Sequence, residues 1–367
     1  MKAKLGIFML ASGLYENCFV SSERRGLSNR TWLMRHPLWV VDLIQLLTRE
    51  VTDVQASHLQ QWQGTDVKGG RPKIAVLIAG LADRLILAPK IQRLIKPLAA
   101  SGYDVELLIT AVGMGQGSRV VFRPVPNTLS ALGTEHLQVA GAIQALAERG
   151  KWTLRFCDID SGPHEVLSSI PVRNRPKRLK EYPPPEDETG LNVLRRFKAI
   201  ENLMKQVQDA ERRGKFAYDL LILTKDDDHW LGPLNVTSFV QDADHARRVY
   251  SRNCDLWGGI NDKTLLFGRQ AAAAVLLRLF SDFWMQRHEL ETDNTETFWK
   301  GILNVRGVQS VPVDFARLPT CASVYVPGGD GTPYLCQKPS SKRLPVPGGC
   351  TGLHATDAFE HPVLCNM

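Results

Sequence analysis

The feature that most constrains this chain is a short apolar run that leads into three consecutive carboxylates. Residues 220–223 are all apolar, and Asp226, Asp227 and Asp228 follow after two further residues. A short apolar run with polar residues at its end is typical of a strand buried on both faces of a sheet. Because ligands of open α/β sheets bind just outside the carboxyl ends of such strands, we expect a binding site at these acids.

The three acids themselves favour a bound cation. Adjacent carboxylates repel one another, and a nearby positive charge offsets that repulsion. Asp226 and Asp228 are two positions apart, so in an extended segment their side chains project to the same side. Two carboxylates placed in this way can chelate one divalent ion, and we predict Mn²⁺ or Mg²⁺ there. A solvated acidic turn is the open alternative.

Length and composition limit the class of protein. The 367 residues are enough for one large α/β domain or two smaller ones, and a hydrophobic content of 44% is ordinary for a globular protein. The net charge of +7 suits an anionic substrate such as a nucleotide diphosphate. The chain has no dense run of Lys and Arg interleaved with aromatic residues, so a nucleic-acid partner is not expected.

Composition divides the chain into three parts. Residues 1–70 form an N-terminal extension, residues 71–325 carry the α/β pattern, and residues 326–367 are a tail rich in Cys, Gly and Pro. In the extension, the apolar stretch over residues 5–14 is too short to span a bilayer. It predicts a signal peptide or a membrane-proximal segment, with an ordinary buried segment as the alternative. A peripheral or N-terminal membrane association therefore stays open.

The cysteines and the glycosylation sequons indicate the cellular compartment in which the protein is expected to work. A loop-rich tail needs cross-links, so Cys336 and Cys350 form a predicted disulfide if the compartment is oxidising. Two Asn-x-Ser/Thr sequons, at Asn29 and Asn235, favour a secretory route. We therefore expect the Golgi lumen or secretion, with a cytoplasmic location as the alternative.

Hydrophobic periodicity predicts alternating strands and helices. Strands at residues 73–79 and 104–111 flank an amphipathic helix at about residues 88–100, and this order predicts parallel strands joined by a right-handed crossover. Further elements are predicted at residues 135–149, 152–159, 191–213 and 271–284.

Three other segments have competing interpretations. Residues 113–118 are glycine-rich, but strand-like residues follow them, so a flexible turn is favoured over a phosphate loop. Asp158 and Asp160 form a second Asp-x-Asp that lacks a third acid and ranks below the first. Residues 172–190 are cationic and then proline-rich, which predicts a solvated linker or a lid whose cations meet a pyrophosphate.

A second polar constellation lies further along the chain. It consists of two runs: Trp257, Gly258 and Gly259, then Asn261, Asp262 and Lys263. Glycine has no Cβ, so the first run permits a close approach of the backbone to a ligand. The second run places an amide, a carboxylate and an ammonium side by side, which suits sugar hydroxyls and phosphates. Asp293 and Glu296 follow at a predicted helix start, where capping and chemistry are both open.

Taken in order, these segments resemble a GT-A type glycosyltransferase, and more narrowly the glycosyltransferase-like proteins of plants, algae and oomycetes. The resemblance covers about residues 72–325. It rests on residues 74–84, on the helix from Leu191 that leads to Tyr218-Asp219 and Lys225-Asp-Asp-Asp-His-Trp-Leu-Gly-Pro233, on Trp257-Gly-Gly-Ile-Asn-Asp-Lys263 with Arg269, and on residues 294–299 with residues 313–319. It implies one nucleotide-diphospho-sugar transferase domain, an α/β fold with a central, mostly parallel sheet flanked by helices.

The resemblance also implies a donor and a metal. The donor is a UDP- or GDP-sugar, and the residues assigned to it are Gly80, Arg84, Lys225, Asp227, Trp257, Gly258, Gly259, Asn261 and Lys263. Asp226 and Asp228 match the metal-binding positions, and His354 or His361 would be a third ligand. Lys225 stands where relatives more often have Arg, which leaves open whether Asp226 with Asp228, or Asp227 alone, holds the metal.

An inverting enzyme of this type needs a carboxylate base near the acceptor hydroxyl. Asp262 is the first candidate and Glu296 the second. The chain is therefore expected to be a metal-dependent glycosyltransferase that acts on a glycan or protein acceptor. A non-catalytic nucleotide- or carbohydrate-binding protein of the same fold is the alternative. A phosphotransferase is not expected, because the chain has no Gly-Lys-Ser/Thr phosphate loop.

Overall fold

The computed structural model describes residues 71–81, 85–112, 135–160, 166–167, 171–285, 287–327, 333–337 and 350–351. Several predicted features lie outside these ranges: the extension over residues 1–70, Arg84, the glycine-rich turn at residues 113–118, His354 and His361. Among the described helices, none has the length and apolar character that a bilayer crossing requires.

Eleven strands form two sheets within the described residues. In chain order they are β1 Lys73–Leu81, β2 Asp104–Val112, β3 Thr153–Asp160, β4 Leu220–Lys225, β5 Asp228–Trp230, β6 Arg248–Arg252, β7 Thr264–Gly268, β8 Gln309–Val313, β9 Thr320–Pro327, β10 Pro333–Gln337 and β11 Cys350–Thr351. The large sheet has seven strands in the order β3-β2-β1-β4-β7-β6-β8, and the small sheet has four in the order β11-β10-β9-β5.

Most pairings in the large sheet are parallel. β1 pairs in parallel with both β2 and β4, and β2 pairs in parallel with β3. β7 runs antiparallel to β4 and to β6, whereas β6 and β8 are parallel. The predicted α/β fold with a central, mostly parallel sheet flanked by helices is confirmed, as is the parallel pairing of the first two strands.

Seven α-helices accompany the strands in the described residues. They are α1 Lys96–Ala100, α2 Glu135–Gly150, α3 Glu188–Gly214, α4 Thr237–Val240, α5 Arg269–Leu276, α6 Leu279–Phe283 and α7 Thr295–Val305. A π-helical turn, Lys90–Ile95, leads into α1, and 3₁₀ turns occupy Val172–Asn174, His245–Arg247 and His288–Leu290. The single helix predicted over residues 271–284 is two helices, α5 and α6.

The large sheet separates two hydrophobic cores. Ile78 of β1 belongs to a first core with α1 and α2, and its neighbour Ala79 belongs to a second core with α3, α5 and α7. In β4, Ile222 likewise faces the first core and Leu223 the second. Because successive side chains of a strand point to opposite faces, this alternation assigns a face to each residue that continues the strands.

The cationic segment over residues 172–190 packs against the domain and is not a solvated linker. Leu179 is fully buried in the second core, and the buried Arg178 donates to the carbonyl oxygens of Met285 and Arg287. The amide of Lys180 donates to Thr292 O at 3.1 Å. The composition of the segment did not predict this packing, because a single apolar residue among the cations, Leu179, makes the contact with the core.

The tail begins inside the small sheet. β9 extends to Pro327, so the boundary predicted between residues 325 and 326 falls within a strand. Cys336 of β10 lies opposite Cys350 of β11 in the antiparallel register. Cys254, which the sequence analysis did not single out, is disulfide-bonded.

Candidate functional site at the carboxyl edge of β4

The three acids are buried at the end of β4. Asp226 and Asp227 form the turn between β4 and β5, and Asp228 is the first residue of β5. Asp226 and Asp228 are 0% exposed and Asp227 is 5% exposed. The alternative of a solvated acidic turn is therefore wrong.

Asp226 occupies the space that Gly80 leaves empty at the end of β1. A Cβ added to Gly80 would lie 2.2 Å from Oδ1 of Asp226, so the carboxyl group packs against the bare α-carbon. By alternation from Ile78, the missing side chain of Gly80 faces the first core. The missing Cβ of Gly80 thus leaves room for the carboxyl group of Asp226, and the assignment of this glycine to the donor stays a prediction.

Asp228 lies on the same face of the sheet. Its Oδ2 accepts a hydrogen bond from the hydroxyl of Thr264, the first residue of β7. Thr264 alternates with Leu265 and so shares the face of Leu266, which belongs to the first core. The carboxyl groups of Asp226 and Asp228 therefore share one face, as their spacing predicts. We call this the acid side of the edge.

One carboxylate oxygen on the acid side is left without a hydrogen bond. Oδ1 of Asp228 is buried and has no hydrogen-bond partner in the described part of the chain. Burial raises the pKa of Asp228 to about 6, against the opposing effect of the Thr264 hydroxyl. A buried acceptor without a donor costs about 1–3 kcal/mol, so this oxygen offers an available ligand to a cation.

Lys90 supplies positive charge to the acid side. It is 0% exposed, and its Nζ donates to Ile86 O at 2.9 Å, Asp226 O at 3.1 Å and Asp228 O at 2.5 Å. Burial lowers the pKa of Lys90 to about 8, and the charges of Asp228, Asp226 and Asp227 oppose that shift. The ammonium group therefore holds the backbone of the acid turn by hydrogen bonds and partly neutralises the negative charge of the carboxylates.

Lys90 is not among the site residues predicted from the sequence. Its burial could have been predicted from its position, because Lys90 is followed on the same helical segment by the apolar residues Ile91, Leu94 and Ile95. A lysine within such a face is buried only if something accepts its protons.

The opposite face of the edge carries an ion-pair network, which we call the ion-pair side. Nη1 of Arg196, on α3, donates to Oδ2 of Asp262 at 2.7 Å, and Nη2 donates to the Asp262 carbonyl at 2.8 Å. Nζ of Lys263 lies 3.5 Å from Oδ1 of Asp262. Burial would raise the pKa of Asp262, but the charges of Lys225, Lys263 and Arg196 hold it well below its usual range.

The two lysines of this network respond differently to their surroundings. Burial, followed by the like charge of Lys263, lowers the pKa of Lys225 to about 8. Burial alone would also lower the pKa of Lys263, but the charge of Asp262 raises it above its usual range. The amide of Lys225 donates to the carbonyl of Lys263 at 2.8 Å, which holds the two residues side by side.

Glu296 lies at the start of α7 but does not cap the helix. Asn294 is the N-cap, and its Oδ1 accepts from the amide of Thr297 at 3.0 Å. The half-buried Glu296 is in the first turn of α7. Burial and then the charge of Asp262 raise the pKa of Glu296, while Lys263 opposes the shift. Its carboxyl group therefore belongs electrostatically to the ion-pair side.

The glycine pair beside Trp257 packs against α7. A Cβ on Gly259 would lie 1.9 Å from the carbonyl oxygen of Glu296, so the absence of a side chain permits close contact with the backbone of α7. Gly258 adopts a φ of +79°. Trp257, with a φ of +41°, leaves 56% of its surface exposed. Nδ2 of Asn261 donates to Cys254 O at 2.8 Å, which engages that amide inside the loop.

Asp227 stands between the two sides. Its charge raises the pKa values of Lys90 and Asp228 on the acid side, and it also raises those of Lys225 and Lys263 on the ion-pair side. Within the described ranges, no three His, Cys, Asp or Glu side chains converge into a metal-binding group. Among the described residues, Asp226 and Asp228 are the side chains whose shared face suits a cation, and the predicted third ligands His354 and His361 lie outside those residues.

The Lys90→Met variant tests the role of the buried ammonium. Removing the charge leaves buried carbonyl oxygens and carboxylates uncompensated, so the free energy of unfolding should fall by about 3–5 kcal/mol. Lys96→Met, at a half-buried lysine further along the same helical segment, should change it by less than about 0.5 kcal/mol. Equal losses in urea titrations of the two variants would contradict the assignment.

The Gly80→Ala variant tests the contact with Asp226. Because the new methyl group would overlap the carboxyl group, we expect a loss of about 1–3 kcal/mol in the free energy of unfolding. The control is Gly232→Ala, whose added Cβ would lie 3.5 Å from Pro319 in ordinary contact. Thermal unfolding of both variants measures the difference, and an unperturbed Gly80→Ala protein would rule out the packing described here.

Two comparisons with known sequences bear on the family. A family model described as a domain of unknown function (DUF7796) matches residues 175–329, which is less than half of the chain. None of the curated proteins matches the sequence.

Among solved structures, the chain is similar to the glycosyltransferase GlyE of Streptococcus pneumoniae TIGR4, with 11% identity and a TM-score of 0.30. That alignment covers 67% of this chain and 46% of GlyE, so the chain spans less than half of that protein. It is also similar to the galactosyltransferase LgtC in complex with donor and acceptor sugar analogs, with 11% identity, a TM-score of 0.31 and coverage of 66% and 73%. Similarity at these TM-scores carries no argument about activity.

Proposed function

We propose that this protein is a metal-dependent glycosyltransferase that moves a sugar from a UDP- or GDP-sugar to a glycan or protein acceptor. One observation carries the proposal: the carboxyl edge of β4 has buried carboxylates on one face and the half-buried lysines Lys225 and Lys263 on the other. A diphosphate bound together with a divalent cation needs both kinds of group. The carboxylates would bind the cation, and the lysines would bind the phosphate oxygens. The diphosphate would lie between the two sides, within reach of the lysines and of a cation held by the carboxylates.

Asp226 and Asp228 are the proposed ligands of Mn²⁺ or Mg²⁺. The unpartnered Oδ1 of Asp228 and the shared face of the two carboxyl groups support this assignment. Two protein ligands are sufficient for Mg²⁺, which is commonly bound by one or two carboxylates together with substrate phosphates and water. Such an ion, when bound, neutralises charge on the departing diphosphate.

Lys225 and Lys263 are the proposed contacts for the diphosphate. Both lysine side chains are half-buried, and interactions between charges are stronger where water is excluded. Cations held in place before the reaction stabilise developing negative charge without having to reorganise. The ion pair with Asp262 holds Lys263 in that position.

Glu296 is the proposed base, in preference to Asp262. A base must accept a proton from the acceptor hydroxyl, and its pKa should lie near the working pH. Asp262 is buried against Arg196 and has a depressed pKa, so it suits a positioning role. Glu296 is less deeply buried than Asp262 and has a raised pKa, so it suits the proton transfer.

We also propose that the protein works in the secretory pathway. The disulfide at Cys254 supports this location, because disulfides persist in oxidising compartments. The paired register of Cys336 and Cys350 is a second, weaker support.

The metal assignment is tested by Asp228→Asn, a replacement of the same shape that removes one negative charge. In calorimetric titrations with Mn²⁺ and UDP, we expect the variant to bind at least about tenfold more weakly. Asp158→Asn, at a half-buried acid on β3 of the same sheet, should bind as the unaltered protein does. Equal binding by the unaltered protein and Asp228→Asn would refute the metal role.

The role of base is tested by Glu296→Gln in assays of donor hydrolysis and transfer. The rate should fall by about 10²–10⁴-fold, the usual contribution of a general base. In the unaltered protein, kcat/KM should decline as the pH falls through the raised pKa of Glu296, above the ordinary value of 4.5, because the base then takes up a proton. Donor binding with no turnover in the unaltered protein would instead favour the non-catalytic binding protein.

A further inference from the structure

We infer that Asn235 is a site of N-linked glycosylation. The sequon is Asn235-Val236-Thr237, and the middle residue is not proline. The inference concerns a modification of the protein and does not depend on the proposed transferase activity.

The fold presents Asn235 to solvent. Its two neighbours are anchored in the first core, Leu234 with 5% and Val236 with 1% of its surface exposed. Asn235 between them is exposed. Because the flanking side chains are buried, the backbone is fixed and the amide of Asn235 is held outward.

The two polar atoms of the Asn235 side chain have different roles. Oδ1 accepts a hydrogen bond from the amide of Thr237 at 3.1 Å, which forms a turn just before α4. Nδ2 donates to no residue in the described part of the chain. Glycosylation uses the nitrogen alone, so the turn survives the modification and the folded protein accommodates the glycan.

The chemistry requires a donor that the secretory route supplies, an oligosaccharide linked to a polyprenyl diphosphate. Nδ2 of Asn235 attacks the anomeric carbon, and a new C–N bond forms as the C–O bond to the diphosphate breaks. The amide proton passes to a base of the transferring enzyme, and the polyprenyl diphosphate leaves. No group is oxidised or reduced. The disulfide at Cys254 is an independent observation that favours the same oxidising compartment.

The experiment expresses the full chain behind a cleavable signal peptide in eukaryotic secretory cells. Asn29→Gln removes the other sequon, so any remaining N-glycan reports on Asn235. We expect the Asn29→Gln protein to migrate faster on gels after treatment with peptide N-glycosidase. Mass spectrometry should find an aspartate at position 235 after that treatment. An unshifted Asn29→Gln protein overturns the inference.

Variants at Thr237 separate recognition of the sequon from effects on the fold. In the Asn29→Gln background, Thr237→Ala should abolish the shift and Thr237→Ser should retain it. The hydroxyl groups of Thr237 and Tyr103 lie 3.2 Å apart, so Tyr103→Phe removes the same hydrogen bond while the sequon stays intact. The Tyr103→Phe protein should remain fully glycosylated. A shift that persists in Thr237→Ala, or is lost in Tyr103→Phe, contradicts the assignment.

Discussion

Three carboxylates buried at the edge of a sheet require positive charge nearby, and the arrangement of this domain around β4 meets that requirement. Burying an unpaired charge costs several kcal/mol, more than a typical surface interaction returns. Lys90 supplies this positive charge, and its ammonium group donates hydrogen bonds to the carbonyl oxygens of Asp226 and Asp228. The π-helical turn that carries Lys90 is thereby fixed against the acid turn.

Strand alternation then distributes the charges. Side chains of odd and even positions leave β4 and β7 on opposite faces, so Lys225 and Lys263 lie on the face opposite to Asp226 and Asp228. Each face has its own local compensation, with Lys90 on the acid side and Asp262 on the ion-pair side. Two carboxylates, Asp226 and Asp228, therefore lie near the edge on one face, and two lysines, Lys225 and Lys263, lie near it on the other. This separation lets one edge offer ligands to a cation and cations to an anion.

The main strands and helices could be predicted from the sequence because their signals are local. β4 is a continuous apolar run, and α3 repeats apolar residues at helical spacing. The partners of the acids could not be predicted in this way, since Lys90 and Asp226 are 136 positions apart and Arg196 and Asp262 are 66 apart. The contact that a glycine permits could not be predicted either, since the backbone of Glu296 that packs against Gly259 is 37 positions away in the sequence.

The acid turn also joins two sheets. β4 belongs to the large sheet, whereas β5, which begins at Asp228, pairs with β9 of the small one. The distance between the carboxyl groups of Asp226 and Asp228 is consequently a function of how the small sheet is seated on the large one. Residues of β9, far from the acids in the sequence, thus help to fix the position of Asp228 through the pairing of β9 with β5.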